Sequence, residues 1–102
     1  MMNKSYFALV LGLFSASSMA HTALMACYDE GNGYIMCEGG FSDGASAEGV
    51  EVRIEQNQSV VMQTKLDEFG EIYFEKPQSD FTVVLNAGEG HVVYVNGRDI
   101  TE

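Results

Sequence analysis

The chain has 102 residues, 15 acidic side chains against 5 basic ones, and a formal net charge of -10 at pH 7. That length holds one small domain, and an apolar content of 46% sets it apart from a disordered acidic tail. So negative a charge excludes nucleic acid and anionic membrane surfaces as natural partners, because both require a basic patch.

The first segment is a targeting signal by its pattern. Lys4 precedes an unbroken run of apolar residues and glycine from Tyr6 to Phe14, and Ser15 to Ala20 then places small residues at Ser18 and Ala20. This is the order of charge, apolar core and cleavage site in a secretory signal peptide. The apolar run is far shorter than the roughly 20 residues that span a bilayer. The pattern predicts a signal peptide over residues 1–20 and a single domain over residues 21–102. The exported chain would begin at His21, carry four basic side chains against 15 acidic ones, and enter no membrane directly. Leu24-Met25-Ala26-Cys27 has the look of a competing lipoprotein processing box. It follows the end of the apolar run at too great a distance, and lipidation of Cys27 would leave Cys37 without a partner.

Export implies an oxidising compartment, where two cysteines usually form a disulfide. Cys27 and Cys37 flank Gly31-Asn32-Gly33, a strong hairpin signal because Gly and Asn accept positive φ at little cost. Centring the turn on Asn32 sets Cys27 opposite Cys37 on neighbouring strands. Closing so short a loop stabilises by about 2–3 kcal/mol through the unfolded chain. A thiolate metal site is the rival reading, but the spacing is not that of a C-x-x-C knuckle.

The chain continues as short strands punctuated by turns. Leu24 to Tyr28 and Tyr34 to Phe41 form the first pair, and Ser42-Asp43-Gly44 turns the chain. Val50, Val52 and Ile54 alternate with Glu51, Arg53 and Glu55, as in a strand with one wet face. Val60 to Thr64 follows, then the turn Asp67-Glu68-Phe69-Gly70, then Ile72 and Phe74 around Tyr73. Phe81 to Leu85 and Val92 to Val95 close the series, with Ala87-Gly88-Glu89-Gly90 between them. No window carries a sustained helical period. About seven strands at this spacing predict an all-β fold, a small antiparallel β-sandwich. Met25, Met36 and Met62 are expected to fill its core. Glu48, Glu51, Glu55, Glu68, Glu71 and Glu75 read as a solvated acidic face.

Several stretches of the expected exported chain carry a likeness. They are His21-Thr22-Ala23-Leu24 through Gly31, Glu38-Gly39-Gly40-Phe41-Ser42-Asp43-Gly44, Gly49 to Val52, Thr64 through Ile72, and Asn86-Ala87-Gly88-Glu89-Gly90-His91. Together these resemble the small periplasmic accessory proteins of energy-coupling-factor nickel and cobalt uptake systems, the nickel/cobalt transport protein L family. The segment Thr64 to Ile72 is similar to the T-D-x-x-G-x-F motif of carboxypeptidase-regulatory-like sandwiches, and Asn86 to His91 to the family's D-A-G-E-G-H signature. The resemblance implies a carboxypeptidase-regulatory-like, or prealbumin-like, sandwich in the periplasm. It also implies Ni(II) or Co(II) as the ion and inner-membrane nickel/cobalt transporter subunits as partners. Three features depart from the family. Asn86 stands where Asp is usual, the pair Cys27 and Cys37 lies outside its pattern, and the chain ends at Glu102 without the C-terminal membrane helix of some relatives.

The chemistry of the two histidines stands beside that likeness. An N-terminal His offers its α-amino nitrogen and its ring Nδ1 to one ion, a chelate unavailable to an internal His. With an α-amino pKa of about 7.7–8.0, the metal displaces that proton at small cost near neutrality. Amine and imidazole nitrogens suit Ni(II) and Cu(II) better than softer ions. His91 follows Gly88-Glu89-Gly90, where glycines let a loop approach a ligand closely. It would supply a further nitrogen, with Glu89 the nearest carboxylate. This requires the first and last strands to run parallel as neighbours, so that His21 and His91 share one end. Two alternatives remain open, a copper-binding periplasmic protein of the resistance type and a metal-free structural sandwich that docks a partner on its acidic face. No nucleophile paired with His and acid, no H-E-x-x-H and no phosphate loop appear, so a non-enzyme is expected.

Overall fold

A computed structural model of the chain describes residues 21–102, so the expected signal segment at residues 1–20 lies outside the described residues. Seven strands follow one another in the order β1 (Ala23–Asp29), β2 (Tyr34–Phe41), β3 (Glu51–Gln56), β4 (Ser59–Lys65), β5 (Glu71–Glu75), β6 (Thr82–Asn86) and β7 (Val92–Asn96). A single 3-10 turn, Gly97–Asp99, follows β7. The strands form two antiparallel sheets, one of three strands ordered β1-β2-β5 and one of four ordered β4-β3-β6-β7. The expected all-β sandwich is the observed fold.

Alternation decides which residues face inward. Val52 and Ile54 of β3 are buried while Glu51, Arg53 and Glu55 between them stay partly exposed, and in β5 Ile72 and Phe74 are buried around an exposed Tyr73. Ile35 and Cys37 of β2 and Val83 and Leu85 of β6 complete the centre of the interior. Each such side chain contributes about 1.5–3 kcal/mol by leaving water. β6 departs from alternation because Val84, on its outer face, is buried as well. It sits in register between Arg53 of β3 and Tyr94 of β7, long side chains whose apolar parts can cover it.

The first hairpin forms as its turn chemistry predicts. Gly31 and Gly33 take φ of 80° and 92°, and the side chains of Asp29 and Asn32 accept from the amides of Gly31 and Tyr34. The register that follows pairs Cys27 with Cys37, and the two are joined in a disulfide. At the same end Lys76 donates to Asp29 at 2.8 Å. With the Gly31 amide, that ammonium holds the Asp29 carboxyl below its ordinary range.

The D-x-x-G segment is a structural turn. Asp67 Oδ1 accepts from the amides of Phe69 and Glu71, and Gly70 donates back to the Asp67 carbonyl. The Gly70 carbonyl in turn accepts from the Gly39 amide at 2.8 Å. A Cβ on Gly70 would stand 2.9 Å from the Gly39 carbonyl oxygen, so this close crossing of loop and strand requires glycine.

The expectation that three methionines fill the core holds for one of them. Met25 packs partly buried against the core, but Met36 lies on the outer face of β2 between the buried Ile35 and Cys37, and Met62 is 38% exposed. Met62 lies on β4, the outermost strand of the wider sheet, where Val60 and Val61 are exposed too. The three-stranded sheet is one strand narrower than its partner, which leaves β4 as an uncovered edge strand.

Candidate metal site

His21 comes two residues before β1 and His91 one residue before β7. These strands are edges of opposite sheets, β1 of the narrow one and β7 of the wide one, and they meet along one side of the sandwich. They do not share a ladder, as neighbours in one sheet would. Beyond β7 and its 3-10 turn, the chain runs parallel to β1, where Tyr28 and Thr101 form a bridge and the Asp29 amide donates to the Thr101 carbonyl at 3.0 Å. Both histidines occupy the opposite pole from that bridge, their rings in contact. Their ring centroids are 5.7 Å apart at an interplanar angle of 64°. Two imidazoles sharing one ion, with metal–nitrogen bonds of about 2.0–2.1 Å, keep their ring centres about 4.5–6.3 Å apart. The observed spacing is within that range. Between the two lies a cleft of about 140 Å³ walled by Ala23, Gly90 and Val93.

His21 is held from three sides. Its ring stacks on Phe41 with centroids 4.3 Å apart and planes 14° from parallel. Its Nδ1 is 2.9 Å from Oδ2 of Asp43, in the loop after β2. The adjoining backbone is tied to that loop, since the Thr22 amide donates to Ser42 Oγ and the Ser42 amide to the Thr22 carbonyl. Asp43 is itself oriented by a turn of its own, with Oδ1 accepting from the Ala45 amide at 3.0 Å. The hydrogen bond with His21 first, and that from Ala45 second, hold the Asp43 carboxyl below its ordinary range.

His91 is set by the loop between β6 and β7. Its amide donates to the Gly88 carbonyl, its carbonyl accepts from the Ala87 amide, and Asn86 Oδ1 accepts from the Gly88 amide. Gly88 and Gly90 take φ of 111° and 79°, conformations that L side chains rarely adopt. The Asn at position 86 thus serves this turn through its carbonyl oxygen. Nδ1 of His91 lies 3.1 Å from the main-chain carbonyl of Glu89. Glu89 meets His91 through its backbone, and the residue is exposed.

The structure brings His21 and His91 together and leaves the Glu89 carboxylate without a described contact to either ring. Cys27 and Cys37 are joined to one another. Asp43 and Phe41 were not singled out for this site by the sequence reading, although a usable signal exists. The hairpin register that sets Cys27 opposite Cys37 runs on to Ala23 opposite Phe41, and two more steps reach His21 and Asp43. Among the described residues no group of three or more His, Cys, Asp or Glu side chains forms a ready-made ion cage. None of the described helices is long and apolar enough to cross a membrane.

Comparison with protein-family models, curated proteins and solved structures finds no match.

Proposed function

We propose that the chain is a periplasmic metal-binding accessory protein that assists uptake of nickel, or of cobalt, by an inner-membrane transporter, and that it catalyses no reaction. The observation that carries the reading is the approach of the His21 and His91 rings to 5.7 Å at one pole of the sandwich. Signal cleavage after Ala20 would add the α-amino nitrogen of His21 to the two imidazoles. A nitrogen-rich donor set of this kind suits Ni(II) and Cu(II). The disulfide is compatible with an oxidising compartment. The excess of 15 acidic over four basic side chains in the exported chain would draw divalent cations toward it at low salt.

Two measurements test this. N-terminal sequencing of the exported protein should return His21 as the first residue. Calorimetric titration of that protein with Ni(II), Co(II) and Cu(II) should show one site that His21→Ala and His91→Ala each weaken at least tenfold. Binding that survives both substitutions removes the site. A marked preference for Cu(II) over Ni(II) and Co(II) moves the assignment to a copper-binding periplasmic protein.

A further inference from the structure

Asp43, in the loop between β2 and β3, holds the His21 ring and is the carboxylate in direct contact with it. The partners of the two imidazoles decide which ring atoms are free. An ionised carboxylate and a main-chain carbonyl have only lone pairs to offer, so a ring nitrogen bonded to either must carry the proton. His91 meets the Glu89 carbonyl through Nδ1 and therefore presents Nε2 as its lone pair. His21 meets Asp43 through Nδ1, so in the metal-free chain a proton lies between Nδ1 and Oδ2.

The spacing of those two atoms is 2.9 Å. Two donors bound at right angles to one ion, each at about 2.0–2.1 Å, also lie about 2.9 Å apart. An ion can therefore take both atoms at their present separation once the ring and the carboxylate turn so that their lone pairs meet it beside the N–O line, the displaced proton passing to solvent. Nδ1 is also the ring atom that can chelate together with an α-amino group on the same residue. The carboxylate is aimed in advance, because Oδ1 is fixed by the Ala45 amide and leaves Oδ2 to face His21. Glu89 lacks such orientation, since its contact with His91 is made by its backbone.

We propose that Asp43 is the carboxylate ligand of the site, binding the ion through Oδ2 beside Nδ1 of His21. His91 then binds through Nε2, and Glu89 holds that ring with its main-chain carbonyl. This rests on the reading of His21 and His91 as a metal site. It completes a donor set of amine, two imidazoles and one carboxylate, which places negative charge directly on a divalent ion. In the metal-free chain the side chains of His21, Asp43 and His91 are not yet gathered around one point, so the proposal requires the two rings and the carboxylate to close on the ion.

The test uses the exported protein beginning at His21, titrated with Ni(II) and, separately, with Cu(II). Asp43→Ala should lower affinity at least tenfold. Asp43→Asn keeps the size of the side chain and one carbonyl oxygen able to accept from Nδ1, so it separates a ligand from a residue that merely orients the ring. A ligand role predicts at least a tenfold loss for Asn as well, whereas Asn within threefold of wild type overturns it. Glu89→Ala retains the backbone carbonyl and should cost less than Asp43→Ala; the reverse order overturns the assignment. Thermal midpoints of all variants, taken without metal, separate loss of binding from loss of fold. Wild-type protein that binds neither ion sinks the metal reading itself. Wild-type binding matched by both Asp43 variants sinks only the role of Asp43.

Discussion

Two of the hairpins, β1–β2 and β3–β4, are of similar size and opposite character. β1–β2 turns through Gly31 and Gly33, carries the Cys27–Cys37 disulfide and buries Ile35 and Cys37 on its inner face. β3–β4 turns through Asn57 and Gln58, two non-glycine residues at φ of 52° and 67°, and its outer strand is exposed along nearly its whole length. The β1–β2 ladder keeps one register throughout, whereas the β3–β4 ladder shifts between Ile54 and Glu55. Hydrogen-bonded pairing alone therefore does not make a strand part of the core. Coverage by the opposite sheet does, and β4 lies outside it.

The largest expected effect separates the two strands of the second hairpin. Ile54 and Met62 stand directly opposite one another, yet Ile54 is 1% exposed and Met62 38%. Ile54→Ala should lose about 2–5 kcal/mol in urea unfolding of the oxidised protein, and Met62→Ala less than about 1 kcal/mol. Equal losses would mean that β4 is covered in solution. The next effect belongs to the first hairpin. Replacing Cys27 and Cys37 together by Ala should cost about 2–3 kcal/mol, read as a lower unfolding midpoint against the oxidised parent. The smallest sharpens the contrast between the turns. Gln58→Gly should stabilise by about 0.5–1 kcal/mol, the relief of left-handed strain less the entropy that glycine loses on folding. Gly33→Ala, at φ of 92°, should act in the opposite sense. If Gln58→Gly is neutral or worse, the second turn is not the strained one.

Local chemistry accounts for what could be read in the residues. The strands announce themselves by alternation, and the disulfide by a turn whose centre counts out its partners. What could not be read is set by elements distant in the chain. The exposure of Met62 depends on one sheet having an extra strand, which no feature of β4 encodes. The meeting of His21 and His91 depends on two edges of different sheets running the same way, which the sequence reading had to assume. Asp43 lies between these cases. Its position follows from the same register as the cysteines, but its significance appears only when the imidazole is seen against it.

The disulfide reaches further than its own loop. Cys27 lies six residues along the chain from His21, about 20 Å at the rise of an extended strand. A slip of one residue between β1 and β2 would turn every inward side chain of β1 to the outside. It would also carry the His21 imidazole past the carboxylate it now faces. The sulfur bridge forbids that slip, because only one phase of the two strands lets Cys27 and Cys37 meet. A covalent bond between the strands thus keeps time for the contact of His21 with Asp43 further along the same ladder. Reduction would leave the placement of His21 against Asp43 to the strand register alone.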